Sequence, residues 1–250
     1  MTAEQKSKGA EQLAPKDSGK LPRTIAIDGP AGAGKSTIGR MLAETLGYLF
    51  LDTGAMYRAV ALVALRRGIS PTNEELLAEL ADKLPIHIEK PKPGETDGRT
   101  YTVLIHDEDV TWEIRKPEVE AVVSQVASHR EVREALVRQQ RRMARLGPVV
   151  MVGRDITTDV LPDADLKIYL DASLHERASR RHMELQERGS TLTYEQVESE
   201  IAHRDRQDMN REAGALRKAD DAVLVNTDGL SKQEALSMIK KIARAWTAKE

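Results

Sequence analysis

The chain has 250 residues, 40% of them hydrophobic, 3% aromatic and 31% charged. That length fits one α/β domain with insertions, built on a core of Ala, Leu, Val and Ile. A net charge of −2 argues against an electrostatic nucleic-acid binder, and the absence of cysteine excludes disulfides and thiolate metal sites. No apolar run is long enough to span a membrane, and the N-terminus lacks the apolar region of a secretory signal, so the expectation is a cytoplasmic protein with no nucleic-acid or membrane partner.

Residues 1–22 are polar and punctuated by Gly, Pro, Ser and Lys, which predicts a disordered extension ahead of a folded unit over 23–250. Thr24 to Ile27 reads as a buried first strand running into Asp28-Gly29-Pro30. Ile38, Met41, Leu42 and Leu46 recur at helical spacing over Lys35 to Leu46, and Gly47 closes that helix. A strand over Tyr48 to Leu51, a helix over Ala55 to Arg67 and a helix fading near Lys83 follow. Between 84 and 116 the pattern changes to short strands, Ile86–Ile88, Tyr101–Ile105 and Asp109–Ile114, separated by Pro-Gly and Asp-Gly punctuation. This reads as a small antiparallel insert. Helices over Pro117–Ala127 and Val132–Leu146 lead to apolar strands at Val149–Val152 and Leu166–Leu170. Arginine-rich helices over Leu174–Glu187 and Tyr194–Arg211, a strand at Val223–Val225 and a helix capped by Ser231 complete the chain. Alternating strands and helices imply a parallel sheet with helices on both faces. Trp112 and Trp246 read as packing anchors.

Gly29-Pro30-Ala31-Gly32-Ala33-Gly34-Lys35-Ser36 matches G-x-x-x-x-G-K-[ST], with a strand before it and a helix after it. Glycines let the backbone turn so that several N–H groups converge, and the following helix points the positive end of its dipole at a bound phosphate. Lys35 brings a cation to the β- and γ-phosphates, and the Ser36 hydroxyl can ligate Mg²⁺. Residues 29–36 with Thr37 form the expected ATP site, within a P-loop NTPase fold. The Asp-x-x-Gly and Asn-Lys-x-Asp elements of switch GTPases are missing. The strand at 149–152 ends in Gly153-Arg154-Asp155 in place of acidic motor residues, so small-molecule phosphotransfer is the leading class.

Phosphoryl transfer needs charge neutralisation and alignment more than covalent help, and Arg grips phosphate oxygens with a planar fork. Arginines concentrate between Arg130 and Arg217. Arg58 lies in Asp52-Thr53-Gly54-Ala55-Met56-Tyr57-Arg58, and Arg154 in Gly153-Arg154-Asp155. Arg204, Asp208 and Arg211 fall at i, i+4 and i+7, and so share one helix face. Taken singly, each also fits a solvated face laced with ion pairs. The six histidines show no metal-binding spacing.

The P-loop string together with Asp-Thr-Gly-Ala-Met-Tyr-Arg, Gly-Arg-Asp-Ile and Arg204-Asp205-Arg206-Gln207-Asp208-Met209-Asn210-Arg211 resembles bacterial cytidylate kinases, from about Arg23 to the C-terminus. The resemblance implies transfer of the γ-phosphoryl group of ATP, with Mg²⁺, to CMP or dCMP by a monomer. It implies that Lys35, Arg154 and Arg204 serve the transferring group, and that Arg58, Arg154, Arg204 and Arg211 hold phosphate. It gives Ser124, Arg133 and Asp155 the cytosine edge, and Thr53 and Asp208 the ribose hydroxyls. It places Arg177, Arg180 and Arg181 in a mobile lid over about 173–192, and makes 84–116 the nucleotide-binding insert. A carboxylate at Asp155 would accept from the N4 amino group while Arg133 donates to N3 and O2, and uracil would mismatch both. The chain departs from the family pattern at Val152, where an acidic residue is common, and at Thr157, where Gly is common. Asp28 reads as either a supporting partner of the site or a cap. The competing readings are another acceptor (UMP, AMP or shikimate) and a nucleotide-binding scaffold without turnover.

Overall fold

The computed structural model describes residues 21–187 and 189–246; the expected N-terminal extension lies outside this range apart from its last two residues. Five parallel strands, β1 (Thr24–Asp28), β2 (Leu49–Asp52), β6 (Val149–Val152), β7 (Leu166–Asp171) and β8 (Val223–Asn226), form the main sheet in the order β2-β6-β1-β7-β8. A second, antiparallel sheet joins β3 (Ile86–Glu89), β4 (Thr102–Ile105) and β5 (Glu108–Asp109). Side chains alternate across the main sheet as the pleat requires. Ile25, Ile27, Val150 and Val152 pack with helices α1 (Lys35–Leu46) and α8 (Lys232–Ala245). Ala26, Leu51 and Met151 pack on the other side with Val137, Met143 and Ala144 of α5 (Arg130–Ala144). The P-loop α/β architecture expected from the sequence, with its small antiparallel insert, is the one observed.

Local chemistry sets the element boundaries. Gly47 takes a left-handed conformation after α1, and its N–H reaches the carbonyls of Ala43 and Glu44. Helix α2 (Thr53–Arg66) begins two residues earlier than predicted because the Asp52 side chain caps it, accepting from the Gly54 N–H. Asn73 caps α3 (Glu74–Lys83), and Pro117 stands at the first turn of α4 (Pro117–Val126). The α6 helix covers Leu174–Glu187. Reciprocal capping boxes start α7 (Tyr194–Met209) at Thr193/Gln196 and α8 at Ser231/Glu234.

Three expectations need correction. Of the predicted strand Asp109–Ile114 only Asp109 is extended, as the end of β5, followed by a turn and a 3₁₀ turn over Glu113–Arg115. Val110 and Ile114 are both fully buried whereas Trp112 is 40% exposed, so the period is four and not two. Trp112 accordingly donates to Asp97 at the surface and anchors no core, while Trp246 does pack against the main cluster. Helix α7 stops at Met209, which leaves Arg211 beyond its C-cap Asn210. A π-helical turn over Ile156–Val160, unforeseen in the sequence, follows the Gly-Arg-Asp string.

Candidate active site

Strands β1, β2 and β6 end side by side: Ile27 pairs with Val152, and Asp52 pairs with Val152 from the other side. The loop after β1 therefore opens at the carboxyl edge of the sheet, where open α/β folds bind ligands. At Gly29 the backbone has φ +151°, and a Cβ there would lie 2.0 Å from the Leu170 carbonyl oxygen, so only glycine fits. The Lys35 ammonium is buried and donates to the Pro30 carbonyl at 2.6 Å. Burial, and then the charge of Arg154, pull its pKa well below the usual lysine value.

Ala31 is gripped from both ends. Its N–H donates to Asp205 at 3.1 Å, and its carbonyl accepts from Arg177 at 2.9 Å. Arg177 and Asp205 are themselves a buried ion pair at 2.5 Å joining α6 to α7. This gives Arg177 a different place from the mobile lid implied by the resemblance: it is a strut beneath the phosphate loop. Arg180 donates to the Thr227 carbonyl at 2.6 Å and to Glu176. Arg181 pairs with Glu184, and its charge also acts on Glu120 of α4.

Ser36, in the first turn of α1, donates to Asp52 at 2.7 Å, and Tyr101 of the insert donates to the same carboxylate oxygen at 3.2 Å. Thr37 follows, half-buried. A hydroxyl beside a carboxylate, with no nitrogen or sulfur donor, suits a hard, oxygen-seeking cation such as Mg²⁺. Val152, in the position where an acidic residue is common, points away from this set: its Cγ1 would lie 2.6 Å from a Cβ on Gly39, so it packs under α1. The carboxylate beside Ser36 comes from the neighbouring strand instead.

Across the edge lies a cluster of arginines drawn from two helices and two loops. Arg58 on α2 and Arg204 on α7 both pair with Glu120 of α4, one on each carboxylate oxygen. Arg154 donates to Asp208 at 2.7 Å, and Arg211 pairs with the other oxygen of Asp208. Arg211 thus joins Asp208 from beyond the helix end. The Nε atoms of Arg204 and Arg211 are buried with no partner among the described residues. Burial, opposed by Glu120, lowers the Arg204 pKa to about 10. Thr53 donates to the Val152 carbonyl at 2.9 Å, leaving its oxygen free to accept.

Arg133 and Asp155 form a second buried ion pair; Arg133 also donates to the Ala127 carbonyl at 3.1 Å and stacks over the Tyr57 ring. Burial, opposed by Arg133, raises the Asp155 pKa. The pair lines a cleft of about 500 Å³ with Arg141, Asp159, Glu212 and Gly214. Gly214 approaches so closely that a Cβ would lie 1.9 Å from the Arg133 guanidinium. Ser124 sits half-buried on α4, and no hydrogen bond joins it to this pair among the described residues. Asp28 closes the site from below as a cap: it accepts the N–H groups of Ile156 and Thr157 at 2.9 and 2.7 Å, and the Thr157 hydroxyl at 2.6 Å. The Thr157 departure therefore adds a hydrogen bond that glycine lacks. Burial pushes Asp28 up to about 6 against those three bonds.

The sequence model of the family described as cytidylate kinase matches residues 25–245. The chain belongs to the cytidylate kinase family. It is 52% identical over 220 residues to the cytidylate kinase of Chloroflexus aggregans, covering 88% of this chain and 93% of that protein. The cytidylate kinase of Caldicellulosiruptor bescii is 47% identical over 218 residues (87% and 94%), and that of Geobacter sulfurreducens 44% over 227 (91% and 95%). Within the family framework, the sequence reading assigned no role to Glu120, Asp205 or Asp52. Glu120 reads as an acid favouring the helix N-terminus, Asp205 as one charge in a charged helix, and Asp52 carried only its place in a string.

Proposed function

We propose that the protein catalyses ATP-dependent phosphorylation of CMP and dCMP, as the cytidylate kinase family does, with the residues above in the following roles. Residues 29–37 hold ATP, and Lys35 leaves the Pro30 carbonyl to meet the β- and γ-phosphates. Arg58, Arg204 and Arg211 take the acceptor phosphate, and Arg154 bridges toward the transferring group. An acceptor phosphate oxygen attacks the γ-phosphorus while the bond to the β,γ-bridging oxygen breaks, so that electron pair leaves with ADP and the acceptor becomes a diphosphate. The arginines act by neutralising the charge of two anions brought together and by aligning them. Ser36, with Asp52 behind it, would hold Mg²⁺; when bound, the ion neutralises charge on the β- and γ-phosphates. Asp208 and the accepting lone pairs of Thr53 serve the ribose hydroxyls.

The observation that carries the cytosine assignment is the buried Arg133–Asp155 pair on a cleft wall beside the arginine cluster. Separated by a base, the two present donors and an acceptor in the order cytosine needs. Ser124 is proposed to join them at the base edge. Residues 84–116 act in this reading as the acceptor-side wall, tied to the site through Tyr101. Residues 173–192 act as a lid whose base is fixed by Arg177 and whose phosphate-facing arginines are Arg181 and, once released from Thr227, Arg180. The reading is of a cytoplasmic monomer; among the described residues no helix is long and apolar enough to cross a membrane. Release of ADP from ATP and Mg²⁺, with each nucleoside monophosphate offered separately, tests it. Turnover with CMP and dCMP, far above that with UMP, AMP or GMP, is expected. Equal rates with CMP and UMP would remove the role of Asp155, and no acceptor-dependent ADP would remove the reaction.

A further inference from the structure

Glu120 stands among arginines on α2, α7 and α6, and its two carboxylate oxygens are divided between Arg58 and Arg204. A carboxylate and a phosphate offer guanidinium groups the same thing: two oxygens sharing a negative charge, each able to accept from a fork. Arg58 and Arg204 are the residues to which the proposed function gives the acceptor phosphate. We infer that Glu120 occupies the acceptor-phosphate seat in the substrate-free protein and must be displaced when the nucleotide binds, so that it sets acceptor affinity and excludes stray anions. The inference rests on that assignment of Arg58 and Arg204.

Three observations support displacement over a merely structural tie. The two partners come from different elements and both face the site. Arg204 keeps a buried Nε with no partner among the described residues, so its guanidinium is not saturated by Glu120. The glutamate side chain remains 38% exposed and has room to swing outward. Against burial, Arg58 and Arg204 hold the Glu120 pKa down to about 2, so at neutral pH it competes as a full anion. A dianionic phosphate wins that competition, while singly charged anions gain little from it. The family's chemistry needs the arginines ready but not open to every anion in solution, and an internal carboxylate achieves that.

The test is titration of the protein with inorganic phosphate, beside the KM for CMP, in Glu120→Gln and Glu120→Ala. Loss of the competing charge is expected to tighten phosphate binding and lower the KM for CMP, each by about tenfold, the scale of one charge-assisted hydrogen bond. Phosphate should then become an effective competitor of CMP. Unchanged or weaker binding of both ligands in folded variants, judged by their thermal unfolding, would overturn the inference and make Glu120 a positioning residue. Arg58→Gln and Arg204→Gln separate this failure from that of the acceptor assignment: if they leave the KM for CMP unchanged, the assignment itself has failed.

Discussion

Replacing Thr157 by Val removes one hydroxyl from a buried site and leaves its volume nearly unchanged. The lost bond is 2.6 Å long and ends on the carboxylate of Asp28, which already lies at about 6 because of burial. A hydrogen bond to a charged group contributes about 2 kcal/mol. At about 1.4 kcal/mol per pH unit, its loss moves the titration of Asp28 upward by about one and a half pH units. The sign follows from linkage. An acid raised in the folded state from its ordinary 3.8 contributes stability that is fully present below 3.8 and is lost as the pH rises through about 6. In the variant that loss continues to higher pH. Wild type and T157V should therefore differ modestly near pH 5, diverge between about pH 6 and 8, and level off with the variant lower by a further ~2 kcal/mol. Urea unfolding from pH 5 to 8.5, on both proteins, reads the difference directly. Stability curves that run parallel across that range would refute the claim that Thr157 supports an ionised Asp28.

Asp155→Asn should move the kcat/KM ratio of UMP to CMP toward UMP by about ten- to a hundredfold, because the amide donates where the carboxylate accepted; an unchanged ratio in the steady-state assay would place base recognition elsewhere. Arg177→Met leaves Asp205 buried and uncompensated, at a cost of about 3–5 kcal/mol, so the melting midpoint should fall by about 10 °C. Nucleotide affinity should weaken with it, since Ala31 loses a partner; a midpoint within ~2 °C of wild type would sink the strut assignment. Asp52→Asn keeps an acceptor for the Gly54 N–H but removes the charge beside Ser36. The free Mg²⁺ concentration giving half-maximal rate should rise by about tenfold or more, and an unchanged requirement would detach Asp52 from the ion.

The parallel sheet was legible because its strands are short apolar runs, two of them closed by Asp28-Gly29 and Gly153-Arg154, and the P-loop because its glycines serve one backbone geometry. The end of the insert was not legible. Val110, Trp112 and Ile114 alternate as well as any strand does, and only the packing shows that Val110 and Ile114 stack one helical turn apart. The arginines of the site were named from the sequence, but their partners were not. Arg177 and Asp205 are 28 residues apart, and Asp28 and Thr157 are 129 apart. Nothing local to either residue announces such a meeting. Glu120 was hidden for another reason: an acid in the first turn of a helix has a sufficient explanation in the helix dipole, so its encounter with Arg58 and Arg204 leaves no trace in the string.

The peptide of Ala31 is fixed by two residues that arrive more than 140 positions later in the chain. The glycine-rich string is therefore not a portable module. A fragment ending before α6 would carry every residue of the motif and both flanking elements, yet the N–H and carbonyl of Ala31 would face water in place of a fixed pair. During synthesis these two contacts form only after α6 and α7 have emerged, and α7 also carries Arg204 and Asp208, the residues proposed for the acceptor. The same late helix thus contributes to both halves of the proposed site, so neither half is complete in a chain that ends before it.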